Sequence, residues 1–209
     1  MKQFTHKITI SVLLLITAIT LQGCSSEAPL QPLESNATIL AFGDSLTYGT
    51  GASRDKAYPA VLEKITGLKV INAGIPGEVS SSGLARLPSL LSQHNPSLII
   101  ICHGGNDILR KMNLMQTRGN IQKMIQLAQT NDTQIMLIGV PEFGIFLETL
   151  PMYPELARQN NIPIAEDILS EILAKNALKS DQIHPNANGY QLLAERTVSI
   201  LKQAGALSD

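Results

Sequence analysis

The sequence predicts a single α/β domain, a three-layer α/β/α sandwich in which helices cover both faces of a parallel sheet. Two observations carry this expectation. Short apolar runs alternate with longer amphipathic stretches along most of the chain, the pattern of successive strand–helix units. The short runs are apolar throughout rather than at every second position, as strands buried on both faces are. Size agrees, since 209 residues, 44% hydrophobic and 16% charged, suit one domain with a sizeable core.

The expected strands are residues 38–42, 69–72, 97–102 and 134–140, with a weaker run at 162–164. Between them lie helical patterns. Pro59 suits the first turn of a helix over 59–65. Leu84, Leu87, Leu90 and Leu91 recur at helical spacing over 82–93, where Pro88 predicts a kink. Ile121, Met124, Ile125 and Ala128 form one stripe over 117–130, and Leu192, Leu193, Val198 and Leu201 another over 188–204. No internal repeat and no second domain boundary is visible.

The first two dozen residues differ in character. Lys2, His6 and Lys7 precede an apolar stretch from Ile8 to Leu21, too short for the roughly 20 residues of a membrane span and suited to a secretory signal. The stretch ends at Leu21-Gln22-Gly23-Cys24, which resembles a bacterial lipobox, where cleavage precedes a lipidated cysteine. The expected organisation is therefore a signal over 1–23, a lipidated tether over 24–37 and the folded domain over 38–209. An uncleaved anchor helix, or a cleaved signal with a free cysteine, is the other reading. Ser25, rather than Asp, follows Cys24, which favours the outer membrane where two membranes exist. Cys102 would then lack an intrachain partner and ends an apolar run, as a buried inert thiol does.

Charge excludes a nucleic-acid binder, with 16 basic against 17 acidic residues and no basic cluster. There is no CxxC or HExxH, and the four histidines are scattered, so no metal is expected.

Ligands of parallel sheets bind beyond the carboxyl ends of the strands, so the residues that follow each strand carry the chemistry. Gly43-Asp44-Ser45-Leu46 follows the first strand and exposes a hydroxyl at a turn; Asn72-Ala73-Gly74 follows the second; Gly104-Gly105-Asn106-Asp107 follows the third. Near the C-terminus stands Asp181-Gln182-Ile183-His184-Pro185, where a carboxylate three residues before an imidazole can fix its tautomer. Singly, each has a plainer explanation as a helix cap, a turn or a surface residue. Jointly they supply a nucleophile, a base, an orienting group and oxyanion donors on one sheet edge, the set that acyl transfer needs.

These blocks, in this order, resemble the SGNH/GDSL hydrolases over residues 38–203. The stretch Gly83-Leu84-Ala85-Arg86-Leu87-Pro88 looks like the multifunctional thioesterase/protease/lysophospholipase branch of that family. The resemblance implies a flavodoxin-like fold and a cofactor-free acyl-enzyme mechanism. It implies Ser45 as nucleophile, with Asp181 and His184 as its partners. It places the oxyanion at the Ser45 N–H, the Gly74 N–H and the Asn106 side chain. The expected substrates are small acyl esters, lysophospholipids or acyl thioesters. The alternatives are a carbohydrate O-acetyl esterase or acyltransferase of the cell envelope, or a non-catalytic lipid-binding lipoprotein. Two features depart from the branch. His103 stands where an apolar residue is expected, without an acidic neighbour in sequence before Asp107, and either sits near the active site or packs. The loop 141–147 is apolar and either lines an acyl pocket or packs on the sheet.

Overall fold

A computed structural model describes residues 29–144 and 147–208. The predicted signal, Cys24 and residues 145–146 of the apolar loop lie outside the described residues. Five parallel strands, β1 (Thr38–Gly43), β2 (Lys69–Gly74), β3 (Leu98–Cys102), β4 (Gln134–Ile138) and β5 (Ile164–Ala165), pair in the order β2-β1-β3-β4-β5. β3 is wholly buried and β1 nearly so, as their unbroken apolar sequences require. Each fully buried Ile or Leu is worth about 1.5–3 kcal/mol over its exposed state.

The order reverses after β2, so right-handed crossovers put the helices on opposite faces. α2 (Tyr58–Thr66) packs with α8 (Ala187–Gln203) on one side. α3 (Ser80–His94) and α5 (Leu114–Thr130) pack together on the other, with α6 (Met152–Asn160) against α5. α7 (Ile168–Leu173) lies beside α8. The four-residue α1 (Ser45–Tyr48) and five-residue α4 (Gly105–Leu109) follow β1 and β3 directly. The reversal opens a crevice at the carboxyl ends of β1 and β3. Three-layer architecture and parallel sheet are thus as the sequence predicts.

α3 runs unbroken through Pro88, although proline withdraws a helix donor. Its N-terminus is capped from afar: Ser80 donates from its N–H to Asp107 Oδ2 at 2.8 Å and from Oγ to Oδ1 at 2.6 Å. A buried carboxylate there suits the positive end of the helix dipole. α8 is capped locally by Asn186, whose side-chain oxygen accepts from the N–H groups of Asn188 and Gly189.

Residues 29–37 of the predicted tether are attached to the body. Leu30 is buried and donates to Ala204 O at 3.0 Å, and Leu33 donates to Ala206 O at 2.9 Å. Gln31 and Gln134 exchange hydrogen bonds at the amino end of β4. This contact lies at the sheet edge opposite the crevice. Among the described residues no helix is long and apolar enough to cross a membrane.

Candidate active site

Ser45 opens α1 immediately beyond β1. Asp44 caps the helix, Oδ1 accepting from the Leu46 N–H at 3.0 Å, and so holds the Ser45 backbone N–H at the helix start. That N–H is among the first of the helix and has no intrahelical acceptor. Ser45 Oγ lies 3.1 Å from His184 Nε2. On the far side of the ring, His184 Nδ1 lies 2.8 Å from Asp181 Oδ2. The turn holding this pair is closed by Asp181 itself, whose Oδ1 accepts from the Ile183 and His184 N–H groups, each at 2.9 Å. Asp181 is 52% exposed and His184 14%. Desolvation raises the Asp181 carboxyl, but the hydrogen bonds from the His184 ring and the two backbone N–H groups outweigh it and hold the group below its ordinary range. A hydroxyl bonded to an imidazole whose other nitrogen rests on a carboxylate is the arrangement that activates serine for acyl transfer.

Asn106, second in α4, faces the same crevice. Its Nδ2 donates to Asp44 Oδ2 and to Glu78 O, both at 3.1 Å. Asp44 is 1% exposed, and burial pushes its carboxyl above the ordinary range against the lowering influence of the Leu46 and Asn106 hydrogen bonds. Asp44, Ser45, Leu46, Gly105, Asn106, Leu109, Phe143, Ile183 and His184 line a small cleft of about 10 Å³. Leu109, 42% exposed, forms part of its rim. Phe143 is the residue of the apolar loop after β4 that reaches the cleft wall.

Gly74, like Asp181, does not itself line this cleft. It pairs in register with Gly43, and its N–H donates to Asn72 Oδ1 at 3.0 Å. A Cβ there would stand 2.1 Å from the Tyr48 nitrogen, so the absent side chain lets α1 lie against β2.

His103, expected to lack an acidic neighbour, has one from a distant element. It is fully buried, and its Nε2 lies 3.1 Å from Glu78 Oε2. Glu78 also binds Arg86, whose Nη2 reaches Oε2 at 2.6 Å. Burial raises the Glu78 carboxyl, but the His103 hydrogen bond and the Arg86 charge outweigh it and hold the group below its ordinary range. Sequence spacing gave no sign of this pairing, 25 residues apart. Cys102 is buried and free, and burial pushes its thiol up, as in an unreactive cysteine.

A model of the GDSL-like Lipase/Acylhydrolase family matches residues 41–192 of this chain. Esterase TesA of Pseudomonas aeruginosa is 31% identical over 196 residues, which cover 88% of this chain and 98% of that protein. Thioesterase 1/protease 1/lysophospholipase L1 of Escherichia coli K12 is 34% identical over 166 residues, covering 76% of this chain and 80% of that protein. Among solved structures, a crystal structure of TesA superposes with a TM-score of 0.71 at 29% identity, covering 80% of this chain and 99% of its own.

Proposed function

This chain belongs to the GDSL-like Lipase/Acylhydrolase family of ester-hydrolysing enzymes, and we propose that it cleaves acyl esters or thioesters through an acyl-enzyme formed on Ser45. The observation that carries the reading is the relay from Asp181 through His184 to Ser45, with contacts of 2.8 and 3.1 Å. His184 Nε2 takes the Ser45 proton as Oγ attacks the acyl carbon. Asp181 fixes the tautomer and stabilises the imidazolium. The oxyanion binds the Ser45 N–H, the Gly74 N–H and one Asn106 Nδ2 hydrogen. The last two leave their resting acceptors, Asn72 Oδ1 and Asp44 Oδ2, in the transition state, where such bonds commonly tighten. His184 then protonates the leaving alcohol or thiol, and water repeats the cycle to free the acid.

The name of the Escherichia coli relative, which includes thioesterase and lysophospholipase, supports acyl thioesters and lysophospholipids as substrates. The small cleft favours a second reading, a carbohydrate O-acetyl esterase or acyltransferase. Its volume of about 10 Å³ falls far below the roughly 300 Å³ at which ligand pockets begin. A panel of nitrophenyl esters of graded chain length separates the two. The first reading expects kcat/KM to peak at medium chains, and a peak at acetyl supports the second. No turnover of any ester would refute both.

The N-terminal sequence supports an exported lipoprotein anchored at Cys24, facing the periplasm from the outer membrane where two membranes exist. Labelled palmitate should enter the wild-type chain and not Cys24→Ser. Equal incorporation would refute lipidation there.

A further inference from the structure

We infer that Glu78, Arg86 and His103 are positioning residues for the reaction, a buried fastener that aims two of the three proposed oxyanion donors. The inference rests on the acyl-enzyme reading above. The cluster touches the carboxyl ends of β1, β2 and β3. Arg86 Nε donates to Glu78 Oε1 at 2.8 Å and to Oε2 at 3.0 Å. Its Nη2 continues past the carboxylate to Ala73 O at 2.9 Å and Gly43 O at 3.2 Å. Phe42 floors the guanidinium, with Arg86 Cζ 4.4 Å from the ring centroid. His103 Nδ1 accepts from the Gly104 N–H at 3.0 Å, so Nε2 carries the proton and donates to Glu78. Tyr153 holds the same residue from behind, its hydroxyl donating to His103 O at 2.8 Å.

The points of attachment distinguish a positioning role from mere packing. Ala73 C=O and Gly74 N–H belong to one planar peptide group. A guanidinium fixed on that oxygen therefore fixes the direction of the Gly74 N–H and polarises it. Gly43 O belongs to the peptide that leads into Asp44, the cap of the Ser45 helix. The Glu78 backbone carbonyl accepts one Asn106 Nδ2 hydrogen at 3.1 Å, so the second, which rests on Asp44 Oδ2 at 3.1 Å, is the one that turns to the oxyanion. Glu78 is thus bonded through its carboxylate to the residue that orients one donor and through its carbonyl to the other donor. Side-chain exposures of 0% for His103, 6% for Glu78 and 22% for Arg86 keep these bonds largely out of water. Gly83 completes the arrangement: a Cβ there would stand 2.3 Å from His103 Nε2. The glycine on α3 and the histidine after β3 are therefore one steric unit.

The test uses kcat per active site, with sites counted by fluorophosphonate titration, so that any unfolded fraction drops out. Glu78→Gln and Arg86→Lys are compared with wild type on a soluble nitrophenyl ester, and with a boronic acid as tetrahedral analogue. Loss of a whole oxyanion donor costs about a hundred- to a thousandfold. Misaimed donors should cost less, about ten- to a hundredfold in kcat with KM little changed, and boronate affinity should fall in parallel. Leu169→Ala, a destabilising substitution in α7 away from the crevice, should leave kcat per site unchanged. In ¹⁵N-labelled wild type the Gly74 backbone and Asn106 side-chain amide protons should move downfield on boronate binding, and less so in Glu78→Gln. Equal downfield movement in wild type and Glu78→Gln would overturn the fastener while leaving the donors intact. No movement in wild type would instead overturn the donor assignment itself. Wild-type kcat per site in both variants, or a fall in kcat without loss of boronate affinity, would also overturn the inference. Should a variant yield no titratable sites, the remaining variant and the wild-type spectra decide.

Discussion

His184 and His103 each present a ring nitrogen to a carboxylate, at 2.8 Å from Asp181 and 3.1 Å from Glu78. Their other nitrogens part ways. His184 Nε2 meets the Ser45 hydroxyl in an open cleft, whereas His103 Nδ1 is occupied by the adjoining Gly104 N–H in a fully buried site. The first pair can exchange a proton with a substrate-facing atom, and the second has no free valence left to do so. A histidine–carboxylate pair is therefore defined by what its second nitrogen meets and by its access to solvent. The two surroundings also differ in rigidity. The His184 pair sits in a turn closed by two backbone hydrogen bonds to Asp181, while the His103 pair is locked among Arg86, Phe42 and Tyr153.

Substituting the two histidines separates them most strongly. His184→Ala should lower single-turnover acylation by about 10⁴-fold or more, the scale seen when a triad member is removed. His103→Gln, which keeps a donor toward Glu78, should stay within about tenfold of wild type. His103→Leu leaves the Glu78 carboxylate short of one donor and should cost about 1–3 kcal/mol of stability, read as a lower Tm. Equal damage to acylation in folded His184→Ala and His103→Gln would break the distinction.

Substituting a carboxylate sharpens it. Asp181→Asn should lower kcat by about 10²- to 10⁴-fold, because an amide at this position favours the wrong imidazole tautomer. Circular dichroism should be unchanged, since Asp181 is half exposed. Full activity in this variant would show that His184 needs no orienting group.

Smallest is the pH dependence of stability, which should have opposite signs at the two carboxylates nearest Ser45. Asp181 is held below its ordinary value, near 3.9. Its stabilising contribution is present above the unfolded pKa and is lost as pH falls through the lower folded value. The Tm advantage of wild type over Asp181→Asn should persist from neutral pH to about 5 and shrink below about 4. Buried Asp44 is pushed above its ordinary value. Its contribution is full below the unfolded pKa and declines as pH rises through the raised folded value. Wild type should therefore lose ground to Asp44→Asn as pH rises from about 4. Parallel curves for the two variants would contradict these assignments.

The sheet and the cleft relay were legible because their signals are local. Buried parallel strands are unbroken apolar runs, and β1, β3 and β4 begin within a residue of the expected positions. β2 begins as expected at Lys69, while β5 is a two-residue strand displaced toward the end of its predicted run. α1, α4 and α7 are too short to show a helical period, and α6 carries Pro154 inside a short segment, so all four escaped the pattern. Asp181 and His184 are three residues apart, and their partnership reads directly from the chain. The Glu78–Arg86–His103 cluster joins residues from three elements, and no spacing rule links them. Its one trace in sequence is a histidine closing an apolar strand where the resembling branch has an apolar residue. Gly74 was expected for its N–H alone, while the structure adds a steric demand from α1.

A fluorophosphonate reads out whether Ser45 is the nucleophile that His184 activates. Wild type should be labelled stoichiometrically and irreversibly, with the phosphonyl group mapped by mass spectrometry to the peptide containing Ser45. A folded Ser45→Ala variant should not be labelled. Undiminished labelling of that variant at another serine would refute Ser45 as the nucleophile.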